Sequence, residues 1–155
     1  MGARQFDYYI FIDYSEDLIG YLIIDQKDIK ELLPHILRFK HYRKARNKRI
    51  YLKNVKHLFK REKLLQYFVQ HKIRETRENM EIFLDVGEFI KKHANCLIFA
   101  SVDDTQFNNF ELFVKIVDGD NIRVIQESEL IVDTVEYQIS LVLDNWLREN
   151  LKITC

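Results

Sequence analysis

The residues of this chain best suited to chemistry are carboxylates that follow short apolar runs. Asp13 comes directly after Tyr8-Tyr9-Ile10-Phe11-Ile12, and Asp103 and Asp104 come after Leu97-Ile98-Phe99-Ala100-Ser101-Val102. Runs of this length and composition read as buried strands, so both sets of acids are expected at strand ends. Carboxylates at the ends of neighbouring strands can converge on one divalent cation, and Mg²⁺ or Mn²⁺ suits such an oxygen donor set. Asp133 and Glu136 lie one turn apart in a segment expected to be helical, and either can add a third acid. A cluster of this kind clamps a phosphodiester and activates water. Asp13, Asp103, Asp104 and Glu136 are therefore the candidate catalytic groups, with Asp13 and Asp103 as core metal ligands. The plainer alternative is that acids after strands serve as turn and cap residues.

Charge is the second feature. The chain has 24 Lys and Arg against 24 Asp and Glu, a net charge of zero. From Leu37 to Arg77 there are fifteen basic residues and only two acids, Glu62 and Glu75, whereas both flanks are acidic. Within that stretch Arg38, Lys40, Arg43, Lys44, Arg46, Lys48, Arg49, Lys60 and Arg61 are candidate contacts to a nucleic-acid backbone, since Lys and Arg neutralise phosphates with release of counterions. Phe39 and Tyr42 are interleaved with them and are expected to stack on exposed bases. The alternative is a solvated basic face balanced by acidic parts of the same molecule or of a second copy, which also leaves a homo-oligomer open. A zero net charge removes the usual long-range attraction to nucleic acid.

Other chemistries lack their residues. The four glycines, Gly2, Gly20, Gly87 and Gly119, are far apart, so neither a P-loop nor a dinucleotide fingerprint can be assembled. The five histidines are scattered, with no Cys or Ser placed to make a nucleophilic pair. Cys96 and Cys155 have no CxxC spacing, so neither a disulfide framework nor a zinc site is expected. The opening Met-Gly is followed by Phe6 where a myristoylation signal needs Ser or Thr. The first apolar run is too short for a signal peptide or a membrane span, and a cytoplasmic protein with no membrane partner is expected.

The elements that must position these residues follow from apolar spacing. Tyr8–Asp13 and Gly20–Ile24 read as a strand pair joined through Tyr14-Ser15-Glu16-Asp17. Asp25 is a cap for a helix carrying Ile29, Leu32, Leu33, Ile36 and Leu37, which Pro34 is expected to kink or split. Arg49–Val55 reads as a third strand and the segment from His57 to Ile73 as a long helix. Met80–Val86 and Cys96–Val102 read as strands around a short helix at Glu88–Lys92, and Phe110–Val117 with Ile122–Gln126 as a hairpin turning at Asp118–Asn121. A closing helix from Leu130 to Asn150 carries Val135, Ile139, Val142 and Trp146 as its apolar stripe. The sum is one α/β domain over residues 1–155, a mixed β-sheet flanked by helices.

Phe11-Ile12-Asp13-Tyr14-Ser15-Glu16-Asp17 resembles the opening of an uncharacterised ribonuclease-H-like family whose first strand runs into Asp-Glu-Ser-Gly-Asp. Further matches follow in order: a basic third strand leading into a long helix, Leu97–Asp103 as a strand ending in Asp, a final strand with Ser128, and a helix containing Tyr137-Gln138-Ile139-Ser140. The resemblance implies a ribonuclease-H-like fold. By that resemblance the protein is a nuclease dependent on Mg²⁺ or Mn²⁺, or a nuclease-derived nucleic-acid-processing protein. The alternative is a non-catalytic nucleic-acid-binding or assembly module on the same fold. The chain departs from the motif where the family's Glu is Tyr14, its Gly is Glu16, and its helical Asp falls on Leu141; its acid on the third strand has no counterpart in Tyr51-Leu52-Lys53.

Overall fold

The computed structural model describes residues 6–93, 95–101, 123–126 and 134–151. The chain opens with β1 (Tyr8–Ser15) and β2 (Leu18–Asp25), an antiparallel pair in register from Tyr8 with Asp25 to Ser15 with Leu18. Glu16, in the connecting turn, takes a positive φ of 53°. β3 (Gln70–Glu75) pairs antiparallel with β2, while β4 (Cys96–Ser101) pairs parallel with β1 and β5 (Arg123–Gln126) parallel with β4. The strand order is β3-β2-β1-β4-β5, a mixed sheet with β1 at its centre.

Both faces of this sheet are covered, which is why β1 and β2 read as nearly continuous apolar runs. On one face Phe11, Leu22, Ile24 and Phe99 pack beneath α1 (Ile29–Ile36), α2 (Lys48–Arg61) and α4 (Val135–Asn150). On the other, Ile10, Ile12, Ile19, Tyr21, Ile23 and Ile98 meet Ile82, Val86, Phe89 and Ile90 of α3 (Asn79–Lys92). Gly20 lets α4 settle onto β2, because a Cβ there would stand 2.8 Å from Leu147 Cδ2 and 3.0 Å from the Lys72 carbonyl oxygen. Among the described residues no helix is long and apolar enough to cross a membrane.

Three sequence expectations fail, each through a misread period. Arg49–Val55 is helix rather than strand: Asn47 caps α2 by accepting from the Ile50 amide at 3.1 Å, and Val55, Leu58 and Phe59 are buried at helical spacing. The helix expected to continue to Ile73 ends at Arg61; Lys63 adopts a left-handed φ of 49°, a short 3₁₀ turn follows at Leu64–Tyr67, and Ile73 belongs to β3. Met80–Val86 shows apolar alternation, yet Met80 and Leu84 are 57% and 55% exposed while Ile82 and Val86 are buried, so the alternation lies on a helix. Glu88–Lys92 is the end of the same helix.

Asp25 caps as expected by accepting from the Lys27 amide at 2.9 Å, but the element that it opens is a 3₁₀ turn, Gln26–Asp28, ahead of α1. Pro34 does not divide α1, which stops two residues after it; Leu37, just beyond, is 67% exposed. In α4 the Ile139–Val142–Trp146 stripe is buried. β5 lies parallel to β4, and the expected partner segment Phe110–Val117 and its turn lie outside the described residues.

Candidate functional site

Asp13 lies on the β1 face that carries Phe11, beneath α4, and is only 7% exposed. Its Oδ1 accepts from the Tyr14 amide at 2.8 Å. In register it stands opposite Gly20 of β2 and Ser101 of β4, the last described position of the β1–β4 pairing, although β1 itself continues to Ser15 against β2. Ser15 follows on the same face, buried, with an Oγ that has no hydrogen-bond partner. Tyr14 alternates to the opposite face and packs against the α3 cluster.

Asp103, Asp104 and Asp133 lie outside the described residues. Glu136, in the first turn of α4, stands near Tyr9, whose phenol pKa is raised by burial and then by the charge of Glu136. Tyr9 and Asp13 are four residues apart on one strand, about 13 Å. Leu147, near the other end of α4, is the residue that reaches Gly20 opposite Asp13. Glu136 and Asp13 are thus held at opposite ends of the same helix–strand contact. Among the described residues no group of three or more His, Cys, Asp or Glu is placed to hold a metal ion.

The nine basic candidates are all exposed, and they run as a basic arc along the chain from the end of α1 to the end of α2. Arg38 and Lys40 follow α1, and Arg43 and Lys44 occupy a 3₁₀ turn at Tyr42–Lys44. Lys48 and Arg49 begin α2, while Lys60 and Arg61 end it, about 20 Å further on. Three side chains fasten this arc to the rest of the fold. Gln138 Nε2 donates to the carbonyls of Ile36 at 2.6 Å and Phe39 at 2.9 Å. Asn145 Nδ2, fully buried, donates to Lys40 O at 3.0 Å and Leu141 O at 2.7 Å. The Tyr51 hydroxyl accepts from the Lys40 amide at 3.0 Å and lies 3.1 Å from the Lys40 carbonyl.

The two aromatics expected to stack on bases do other work. Phe39 is 4% exposed and stacks on Phe59, which stacks in turn on Trp146. The Tyr42 ring has the Arg148 guanidinium at 4.7 Å and Lys48 Nζ at 5.9 Å. The arc therefore offers cations for phosphates, with its aromatics turned to packing and cation–π contacts.

Sequence reasoning passed over Asn145 and Tyr51 and noted Gln138 only as part of a motif. The available signal was the pair Gln138 and Asn145, seven residues apart and hence on one face of the helix, beside Leu141 and Val142. It also missed a polar network under α3. Tyr21, fully buried, donates to Asp85 Oδ2 at 2.9 Å and accepts from Gln70 Nε2 at 2.6 Å. Lys72 Nζ reaches both Asp85 (2.5 Å) and Glu81 (3.0 Å), and Arg74 Nε joins Glu81 at 3.0 Å. Burial, more than any charge, pushes the Tyr21 pKa to about 12. These bonds tie β2, β3 and α3 together.

Among solved structures, the chain aligns with ribonuclease H2 from Pyrococcus horikoshii OT3 at a TM-score of 0.53 and 15% identity, covering 92% of this chain and 71% of that one. The fold is ribonuclease-H-like. Ribonuclease HII from Archaeoglobus fulgidus, solved in complex with PCNA, aligns at a TM-score of 0.49 and 10% identity over 90% of this chain and 70% of that one. No protein-family model and no curated protein sequence matches the chain. The likeness is one of architecture, and the resemblance drawn through a basic third strand does not survive, because Arg49–Val55 lies in α2.

Proposed function

We propose that this protein is a nuclease, or a nuclease-derived nucleic-acid-processing protein, that works on strands held along the basic arc. The observation that carries the reading is Asp13, a buried carboxylate on the central strand, in parallel register with Ser101 at the end of β4. The Asp13 carboxylate and the orphaned Ser15 hydroxyl two residues along its face are oxygen donors that fit a hard divalent cation. Asp13 and Asp103 would hold Mg²⁺ or Mn²⁺, with Asp104 as a further candidate, and a bound ion would supply phosphoryl polarisation and an acidified water.

The chain's own residues supply the rest. Arg38, Lys40, Arg43, Lys44, Arg46, Lys48 and Arg49 neutralise backbone phosphates, and Lys60 and Arg61 extend the track along α2. Gln138, Asn145 and Tyr51 hold the backbone at Ile36–Lys40 in one shape, so little backbone ordering is needed there on binding. Glu136, near Tyr9, stands too far along β1 to act on the same phosphate as Asp13 without rearrangement of α4.

A second reading, a nucleic-acid-binding module that has lost catalysis, is favoured by Tyr14. Where the resembled family has Glu, this chain turns an aromatic ring into the α3 cluster. Cleavage of labelled single- and double-stranded DNA and RNA in Mg²⁺ and in Mn²⁺, by wild type and Asp13→Asn, separates the two. The catalytic reading expects metal-dependent cleavage that Asp13→Asn abolishes while binding persists. Binding without cleavage in every metal leaves the second reading.

A further inference from the structure

A cleft of about 410 Å³ opens within the basic arc between Lys40 and the outer side of α2. Its volume falls in the range of small-molecule sites. Three cations, Arg38, Lys40 and Arg61, stand around it, and no Asp or Glu lines it. Glu62 touches one of them from outside, 3.8 Å from Arg61 Nε, and also lies 3.3 Å from His35 Nδ1. The floor is apolar, made by Val55 and Leu58 beside Phe39, and Asn54 places an amide at the same cleft. The wall is fixed: Lys40 is gripped at its amide by Tyr51 and at its carbonyl by Asn145, and its Nζ lies 5.3 Å from the Tyr51 ring centroid.

Cations at the mouth, an apolar floor, the Asn54 amide, the His57 imidazole and no carboxylate in the lining describe a receptor for an anion joined to a flat, hydrogen-bonding apolar group. We infer that the cleft binds a nucleoside phosphate, its phosphate on Arg38, Lys40 and Arg61 and its base on the Val55–Leu58 floor beside Asn54. The same chemistry is offered by a free nucleotide and by one unit of a strand. The inference deepens the reading of the arc as a nucleic-acid surface, and it assigns this cleft the recognition of a single nucleotide where the remainder of the arc reads only phosphates.

The test is an NMR titration of the full chain with AMP, adenosine and inorganic phosphate. AMP is expected to saturate and to shift the Asn54 side-chain amide and the Val55 and Leu58 methyl signals, with adenosine and phosphate each binding more weakly. Arg38→Gln and Arg61→Gln should each lower AMP affinity about tenfold, the loss of one charge-assisted hydrogen bond. Lys91→Gln, an exposed cation on α3 and outside the cleft, should leave it unchanged. Equal affinity for AMP and phosphate with no shift at the floor, or an equal loss from Lys91→Gln, overturns the inference in favour of diffuse attraction. Displacement of bound AMP by a short oligonucleotide assigns the site to a strand unit, and lack of displacement assigns it to a free nucleotide; both support the cleft. AMP binding without Asp13-dependent cleavage removes the catalytic reading alone, and cleavage without AMP-specific binding removes this inference alone.

Discussion

Gly20→Ala tests the contact that places α4 over the middle of the sheet. The added methyl would sit 2.8 Å from Leu147 Cδ2, 3.0 Å from the Lys72 carbonyl oxygen and 3.3 Å from Ile73 Cγ1. Ordinary carbon–carbon contact is at about 3.5–4.0 Å, so Leu147 must retreat by most of an ångström, and the β3 backbone closes the other side. Leu147 is fully buried, so any retreat must displace its core neighbours. Overpacking of this kind costs about 1–3 kcal/mol, which for a chain of this size lowers the melting temperature by about 3–9 °C.

The assay is thermal and urea unfolding of four proteins: wild type, Gly20→Ala, Leu147→Ala and the double variant. Leu147→Ala alone should cost about 2–5 kcal/mol through the cavity it leaves. In the double variant the new methyl enters that cavity, so its cost should fall short of the sum of the two by about 1 kcal/mol or more. Additive costs, or a Gly20→Ala variant as stable as wild type, would refute the close approach of α4 to β2.

Tyr21→Phe should cost about 1–2 kcal/mol in urea unfolding, because it removes the donor to Asp85 and leaves the Gln70 amide without its buried acceptor. Glu149, whose carboxyl pKa burial raises, keeps a buried Oε2 without a hydrogen-bond partner. Its folded-state pKa lies above the unfolded value, so wild-type stability should fall as pH rises through that folded value. Glu149→Gln should therefore raise the melting temperature at pH 7 and lose this advantage below about pH 4; an equal gain at both pH values would contradict the assignment. Arg43→Gln with Arg46→Gln should make the log–log salt dependence of double-stranded DNA binding shallower by about 1.8, or 0.9 per phosphate contact, and an unchanged slope would place the phosphates elsewhere.

What was legible in the sequence depended on which faces of each element are buried. β1, β2 and β4 are covered on both sides, so their apolar runs were unmistakable, and Asp13 stood out because it interrupts one of them. α2 and α3 are covered on one side only. Their exposed apolar residues, Ile50 at 56%, Met80 at 57% and Leu84 at 55%, imitated the alternation of strands. β3 was hidden for the opposite reason. Among the described residues it is an edge strand whose Gln70-His71-Lys72-Ile73-Arg74-Glu75 is mostly polar, as edges that must resist pairing with other chains tend to be. The basic arc was legible as charge. Its anchors were not, since the partners of Gln138 and Asn145 are backbone carbonyls about a hundred positions earlier, which no side-chain pattern encodes.

The central place of β1 also governs how the chain must assemble. The β1–β2 hairpin is local and can close within microseconds. The other edge of β1, however, waits for a strand that begins at Cys96, and β4 in turn waits for one that begins at Arg123. Pairings of such long range raise contact order and slow folding. Until they form, the apolar edge of Tyr8–Asp13 is open to intermolecular pairing. Synthesis order therefore puts this apolar strand before its protector, so yield on expression should depend on growth temperature and chaperone supply.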